Sequence, residues 1–268
     1  MAVTLAGGCR VSEMREGDPL IAGTLRIWNR IGRATGARAI SLRVLEFAPG
    51  LSRGIRNDDC DEILYVLEWK DERTDASEVS TACGSGRVIV FVDGKAFEVG
   101  PDTGIYLRPG ETFAVNNPGP SYIVMVSSQC PDPDRDLKFV EALTSPKADS
   151  PGPPPLVGLS DRPAQPTADR WYRVLVDDEI GSTNATQFVG SIPPGRAPDH
   201  FHQYEEVLFI LKGEGRMWAG ESSTPITAGS CIYLPKGQVH CVENTGMDEL
   251  RLLGVFYPAG SPSVRYDV

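Results

Sequence analysis

The chain has 268 residues, a formal net charge of −10 and a sequence pI of about 4.9. An acidic surface repels nucleic-acid phosphates and anionic lipid headgroups, so neither kind of partner is expected. No stretch reaches the ~20 consecutive apolar residues that a membrane span needs. The six cysteines lack C-x-x-C spacing, and the first nine residues lack the basic and apolar regions of a signal peptide. Reduced thiols and a cytoplasmic location are therefore expected.

The composition favours short strands over helices. The apolar fraction of 41% is sufficient for a core, and 28 glycines and 22 prolines indicate many tight turns. Residues 41–47, 88–92 and 250–256 are short runs rich in β-branched or large apolar residues. One short helix is predicted at 136–143, and the chain is otherwise expected to be all-β.

An internal repeat is the clearest large-scale feature of the sequence. Chance similarity of short β-rich segments is unlikely to produce several matches in one order, so we infer a duplicated domain. Residues 49–50, 61–67, 84–87 and 105–119 match, in the same order, residues 194–195, 205–211, 213–216 and 232–246.

The repeat and the proline distribution predict the domain boundaries. Nine of the 22 prolines lie within residues 131–167, and proline lacks the N–H that a strand interior needs. This segment is therefore interpreted as a proline-rich linker between an N-terminal barrel at 1–130 and a C-terminal barrel at 168–268. A polar insertion at 68–82 is expected to form an exposed loop.

All three histidines of the chain fall within 41 residues of one another. His200 and His202 are separated by one residue and would point to the same side of a strand, because side chains alternate between its two faces. Glu206 would lie on that same face if the strand continues. His240 lies in the second matched segment. Three imidazoles and a carboxylate form a plausible ligand set for a divalent transition metal, whereas an isolated histidine would more often be a surface or core residue.

Around these residues the sequence resembles two motifs of the cupin superfamily. The resemblance implies a small antiparallel β-barrel (double-stranded β-helix or jelly roll) with a metal in its mouth, bound by His200, His202, Glu206 and His240. With the internal repeat, it implies a bicupin, a protein of two cupin barrels. The first motif comprises Gly195, His200, His202, Glu206 and Gly213, and the second comprises Gly229, Pro235, Gly237, His240 and Asn244.

The N-terminal repeat lacks most of these ligands. Glu62 corresponds to Glu206, but Phe113 stands at the position of His240, and no histidine precedes Glu62. Asp58, Asp59 and Glu62 could supply oxygen ligands to a harder ion. The apolar Phe113 favours a degenerate barrel without metal, so one metal ion per chain is expected.

Four protein ligands would leave about two positions open on an octahedral metal, as in a working site. The leading hypothesis is a metal-dependent enzyme that acts on a small organic anion or enol, as a dioxygenase or as a decarboxylase or isomerase. The metal would be Mn, Fe, Ni, Co, Cu or Zn. The alternative is a sensor or storage protein that binds a small molecule without turnover.

The catalytic groups are not identified by the sequence. Tyr204 and Glu205 are the candidate acid/base residues, although strand parity turns Glu205 away from Glu206. Ureidoglycine aminohydrolase shares the two-barrel architecture and similar length, but its metal ligands are arranged differently. We therefore retain the two-barrel architecture as a prediction and do not transfer the substrate of that family. Assembly into a homo-oligomer is left open by the sequence.

Overall fold

The structure is a computed structural model that describes residues 1–67, 87–146, 153–264 and 266–267. Within these ranges the chain forms strands and four short 3-10 turns, at Ala6–Gly8, Arg33–Thr35, Leu159–Asp161 and Asp178–Ile180, and no α-helix. None of these elements has the length and apolar character of a membrane-crossing helix. The predicted insertion at 68–82 lies outside the described residues.

The first half of the chain contributes fourteen strands. They are β1 Val3–Thr4, β2 Arg10–Glu13, β3 Leu20–Ala22, β4 Leu25–Ile31, β5 Leu42–Phe47, β6 Gly50–Leu51, β7 Gly54–Arg56, β8 Asp61–Val66, β9 Val88–Val92, β10 Lys95–Val99, β11 Thr103–Leu107, β12 Thr112–Asn117, β13 Ile123–Cys130 and β14 Lys138–Val140.

The second half contributes thirteen strands in a corresponding order. They are β15 Leu156–Gly158, β16 Gln165–Thr167, β17 Arg170–Val176, β18 Thr186–Ile192, β19 Gly195–Arg196, β20 His200–Phe201, β21 Glu205–Lys212, β22 Glu214–Ala219, β23 Ser222–Thr227, β24 Ser230–Leu234, β25 His240–Asn244, β26 Leu250–Tyr257 and β27 Tyr266–Asp267.

The described residues form two barrels, each made of two antiparallel sheets. The first barrel joins sheet β15-β11-β8-β13-β5-β4-β3 to sheet β10-β9-β12-β7-β14, and the second joins β1-β2-β24-β21-β26-β18-β17-β16 to β23-β22-β25-β20-β27. In β9, buried valines alternate with the half-buried Ile89 and Phe91, as expected for a strand with one face on the core. The prediction of two antiparallel barrels from an internal duplication is confirmed.

Three apolar clusters stabilise the molecule, one inside each barrel and one between them. Ile55, Phe113 and Val115 belong to the cluster inside the first barrel, and Ile210 and Met217 to the cluster inside the second. The third cluster contains residues of both halves, and it therefore joins the barrels face to face. Its members include Trp28, Val44, Ile63, Tyr65, Val126, Val189, Val207, Phe209, Leu253 and Val255.

The two halves exchange strands, which changes the predicted domain boundaries. β2 pairs with β24 of the second barrel, with Val11 opposite Ile232, and β15 pairs with β11 of the first barrel, with Val157 opposite Gly104. Residues 1–130 are thus not all in the first barrel. Each half begins with a strand that completes the sheet of the other, because an exposed sheet edge is stabilised by any strand that pairs with it.

The segment predicted as a linker contributes three short strands to three of the four sheets. In it, β14 pairs with β7, β15 pairs with β11, and β16 pairs with β17. The short helix predicted at 136–143 is wrong, since residues 138–140 form β14. The prolines lie mainly between these short strands, where no ladder hydrogen bond is lost.

The five described cysteines are unpaired and buried, which agrees with reduced thiols. They are Cys9, Cys60, Cys130, Cys231 and Cys241.

Candidate metal centre

The histidines are brought together by strand pairing in the second barrel. His200 on β20 lies directly opposite His240 on β25 in the antiparallel register. His202 follows two residues after His200, and Glu206 lies on the adjoining β21. The H-x-H spacing and the long-range pairing of β20 with β25 therefore act together to bring the three histidines next to one another.

The three imidazoles form a compact cluster. One ring nitrogen of each histidine lies within 4.8 Å of those of the other two. The ring centroids of His200 and His240 are 4.5 Å apart, those of His200 and His202 are 4.9 Å apart, and those of His202 and His240 are 5.3 Å apart. This spacing suits three nitrogen ligands of a single ion.

Backbone carbonyl groups orient all three rings. A carbonyl oxygen can only accept a hydrogen bond, so each Nδ1 carries the proton and each Nε2 carries the lone pair. Histidine ligands of metal ions are typically held in this way. The bonds run from His200 to Pro198 O (3.1 Å), from His202 to Val264 O (3.1 Å) and from His240 to Gln238 O (2.8 Å).

Burial keeps two of the imidazoles in the neutral form. It lowers the pKa of His202 to about 4 and that of His240 to about 3, with nearby His200 adding to both shifts. Neutral imidazole is the form that binds a metal ion, because a proton and a metal compete for the same lone pair.

Glu206 borders the histidine cluster. Its carboxylate oxygen lies 3.8 Å from Nε2 of His202, and the side chain is almost fully buried. Burial raises the pKa of Glu206 to about 8. A cation beside this carboxylate would offset the cost of ionising it in the barrel interior. Three imidazoles and this buried carboxylate are a donor set that suits a divalent transition metal. Among the described residues, the group that meets the distance requirement comprises the three histidines, and Glu206 borders it through His202.

The cluster opens into a cavity of about 130 Å³ within the second barrel. The cavity walls are largely apolar, including Phe188, Ile192, Leu208, Val242 and Leu252. Gly254 permits this lining, because a Cβ atom built at that position would lie 2.2 Å from the Phe188 ring. Pro262 and Ser263 of the C-terminal tail also line the cavity.

The structure separates the two candidate acid/base residues. Tyr204 lines the cavity, whereas the buried carboxylate of Glu205 lies at the contact between the barrels. The Glu205 carboxylate accepts hydrogen bonds from the backbone N–H groups of Arg38 and Ala39 and from the Tyr233 hydroxyl. Glu205 therefore joins the two barrels and is not a candidate acid/base residue of the metal cavity.

The corresponding positions of the first barrel carry no such cluster. Phe113 faces Ile55 across the strand pair that corresponds to His240 and His200, and both side chains are fully buried in apolar surroundings. Asp58 instead pairs with Lys138 and Arg56, and these hydrogen bonds lower its pKa to about 2.

Asp59, the other aspartate considered for a harder ion, pairs with Arg135. Within the described ranges, the three histidines form the one group of side chains that meets the distance requirement for a metal site.

Two parts of the cavity were not predicted from the sequence. Arg170 at the start of β17 and the tail residues 262–264 lie outside the matched motifs. They reach the cavity through the pairing of β17 with β18 and of β27 with β20. No local spacing rule could have assigned them to the site.

Comparison with known proteins finds a family match within the second barrel. The family described as "Cupin domain" matches residues 188–256. The sequence is 36% identical to Auxin-binding protein 1 of Arabidopsis thaliana over 70 residues, which are 23% of this chain and 35% of that protein. It is 38% identical to an oxalate-binding protein of Thermotoga maritima over 66 residues, 24% of this chain and 54% of that protein. The matches thus span about a third to a half of these relatives.

Solved structures resemble both barrels together. A formate complex of Lactobacillus farciminis oxalate decarboxylase superposes with a TM-score of 0.72, 11% identity and coverage of 96% of this chain and 87% of that chain. A structure of Bacillus subtilis oxalate decarboxylase, an enzyme with Mn(II) centres, gives a TM-score of 0.71, 14% identity and coverage of 94% and 78%. These likenesses establish a shared two-barrel fold.

Proposed function

We propose that the second barrel of this chain, in which residues 188–256 match the cupin domain, binds one divalent transition metal ion per chain. The ligands are His200, His202, Glu206 and His240. With this metal the protein acts as an enzyme on a small organic anion that enters the apolar cavity.

The observation that carries the proposal is the shared orientation of the three imidazoles. Each has its Nδ1 hydrogen bonded to a backbone carbonyl, and one ring nitrogen of each histidine lies within 4.8 Å of those of the other two. A set of histidines serving only packing would have no need for the same tautomer at all three positions. The buried Glu206 supplies a negative charge beside His202.

The protein groups and the metal have separate tasks. When bound, the metal supplies a Lewis acid that polarises an oxygen atom of the substrate. The histidines and Glu206 hold the ligand geometry, while Phe188, Leu208 and Leu252 exclude water from the cavity. Water exclusion strengthens each electrostatic contact made inside the cavity.

Two reaction classes fit such a site, dioxygenation and decarboxylation or isomerisation. Oxygen uptake, CO₂ release and conversion of the substrate by the metal-loaded protein, measured over a panel of small carboxylates and enols, distinguish them. An isomerase converts the substrate without either gas. A dioxygenase consumes O₂ in proportion to product, and a decarboxylase releases CO₂ without that uptake. A protein that binds these compounds with no turnover of any of them would contradict the enzymatic proposal.

The metal site itself is tested by replacing His240→Ala. We expect elemental analysis to find about one transition ion per chain in the unchanged protein, with Mn(II) as the first metal to try. The variant should bind the ion at least about 100-fold more weakly, since even the loss of an outer hydrogen-bond partner costs 10–100-fold in affinity.

The matched control is Lys236→Ala, an exposed side chain in the turn that precedes β25. It should keep its metal, and circular dichroism should show both variants folded. Full metal content in the folded His240→Ala variant, or two tightly bound ions per unchanged chain, would contradict the proposed site.

A further inference from the structure

Tyr204 carries a buried hydroxyl group that the fold leaves without a partner. Its ring is stacked between His202, at a centroid distance of 4.7 Å and an interplanar angle of 9°, and Phe256, at 4.4 Å and 18°. The hydroxyl oxygen is inaccessible to solvent and has no hydrogen-bond partner among the described residues. Because a buried hydroxyl without a partner destabilises the fold, such a group in a cavity wall indicates a bound ligand that supplies the partner.

Arg170 is the one lysine or arginine among the residues that line the cavity. Its side chain is 17% exposed, and its Nε donates to the neighbouring Asp169 carboxylate at 2.9 Å. The planar guanidinium also has terminal N–H groups in a fork that matches the two oxygens of a carboxylate. The cavity therefore combines a cationic group with the hydroxyl of Tyr204.

The remaining wall selects against a small dianion. The cavity lining includes Thr167, Ser191 and Ser263, which bear hydroxyl groups, but it is mainly apolar. Its apolar side chains cannot solvate a second charge, and they include Phe188, Ile192, Leu208, Val242 and Leu252. An apolar ligand body would bury these side chains further and gain free energy from doing so. Oxalate, the ligand named for one relative, offers no apolar surface to them.

From this arrangement we propose that the ligand is a monocarboxylate with an apolar, ring-sized body. Arg170 binds the carboxylate, and the Tyr204 hydroxyl donates a hydrogen bond to a ligand oxygen. The inference rests on the proposed function, because it concerns the same cavity with its metal in place. It adds the substrate class and two residues that recognise the substrate.

The experiment is calorimetric titration of the metal-loaded full chain with three probes. Benzoate has both the charge and the apolar body, oxalate lacks the body, and benzyl alcohol lacks the charge. We expect benzoate to bind at least about 10-fold more tightly than either of the others, since a charge-assisted hydrogen bond and apolar burial each contribute that much.

Three variants assign the contacts. Arg170→Met should weaken the affinity for benzoate by at least about 10-fold and leave the affinity for benzyl alcohol unchanged. Arg170→Lys should restore part of the lost benzoate affinity. Tyr204→Phe should lower the affinity for both benzoate and benzyl alcohol, because both offer an oxygen acceptor. It keeps the stacked ring, so metal content and folding should not fall. Arg26→Met and Tyr122→Phe, which lie outside the cavity in the first barrel, are the matched controls.

Metal content measured on the same samples distinguishes a failure of the proposed function from a failure of the proposed ligand class. Absence of metal from the unchanged protein would overturn the proposed function together with this inference. A metal-loaded protein that binds oxalate as tightly as benzoate, or none of the probes, would overturn the ligand class alone. Unchanged benzoate affinity in both Arg170→Met and Tyr204→Phe would overturn the assignment of these residues.

Discussion

Glu62 and Glu206 occupy corresponding positions in the two barrels, and their neighbours give them different roles. Glu206 lies beside His202, whereas Glu62 accepts hydrogen bonds from Ser127 Oγ at 2.6 Å and Gln129 Nε2 at 3.2 Å. The Glu62 carboxyl group is thus held in a buried polar network without imidazoles. At the scale of single residues, the barrels differ in the neighbours of this buried acid and in the apolar pair Phe113 and Ile55, which replaces His240 and His200.

This network predicts a pH-dependent effect of Glu62→Gln. Burial raises the pKa of Glu62, and the bonds from Ser127 and Gln129 and the charge of Arg43 oppose this only in part. A carboxyl group with a raised pKa stabilises the fold below its unfolded pKa of about 4.3, and this contribution is lost as the pH rises through the folded value. The always neutral glutamine should therefore increase the free energy of unfolding at pH 8.

Urea denaturation at several pH values between 4 and 8 measures this effect. The gain in the free energy of unfolding of Glu62→Gln should shrink towards pH 4, where the carboxyl group of Glu62 in the folded wild-type protein is also neutral. Glu221→Gln, at an exposed position of the second barrel, should give no comparable trend, and metal content should be unchanged in both variants. A gain that does not vary with pH, or a loss of metal in Glu62→Gln, would contradict the role assigned to the first barrel.

At the scale of elements, the exchanged strands determine how the barrels depend on each other. The strand β2 covers the edge of β24 in the second barrel, and Val11 on it is buried in that barrel's core cluster. β24 also pairs with β21, which carries Glu206. The N-terminal arm therefore supports the sheet that presents one of the proposed metal ligands.

The arm provides a matched pair of substitutions, Val11→Ala and Val3→Ala. Val11 is 4% exposed and Val3 is 39% exposed on the same arm. We expect Val11→Ala to lower the free energy of unfolding by about 1–3 kcal/mol, because it leaves a cavity in the core of the second barrel. Val3→Ala should change it by no more than about 0.5 kcal/mol.

Hydrogen exchange locates the effect of Val11→Ala. The backbone amides of β24 should lose protection, because their partner strand is held less firmly. Equal destabilisation by the two substitutions, or unchanged protection of β24 in a destabilised Val11→Ala protein, would contradict the role of the arm.

At the scale of the whole molecule, the two barrels are joined by related polar contacts around an apolar centre. Glu205 accepts a hydrogen bond from the Tyr233 hydroxyl in the second barrel, and Asp61 accepts one from the Tyr106 hydroxyl in the first. Asn184 of the second half donates to the same Asp61 carboxylate. The Asp/Glu and Tyr positions of the repeat thus recur because they serve the contact between the barrels.

A fragment that begins at Ala168 should consequently aggregate and be less stable than the full chain. It lacks β2, and it exposes the apolar face that includes Val207, Phe209 and Val255. We expect light scattering to show aggregation under conditions in which the full chain stays dispersed. Soluble fragment should still bind metal, since all four proposed ligands lie within it. A monomeric fragment that unfolds at the same temperature as the full chain would contradict the predicted dependence.

The sequence by itself determined the all-β class, the duplication and the set of candidate metal ligands. These features are local or periodic, as in the H-x-H spacing at His200 and His202, and can be recognised without knowing which strands pair. The absence of a complete ligand set around Glu62 was visible for the same reason.

Only the tertiary structure decided which barrel each terminal strand completes, and which side chains meet in the cavity. The edge of β24 pairs with β2, more than 200 residues away along the chain, and the cavity brings Arg170 and the tail residue Ser263 to the histidine cluster. Glu205 accepts hydrogen bonds from the backbone N–H groups of Arg38 and Ala39. It therefore lies at the contact between the barrels and is excluded as a catalytic candidate. Such outcomes depend on long-range register and on the packing of two separate sheets, and local propensity specifies neither.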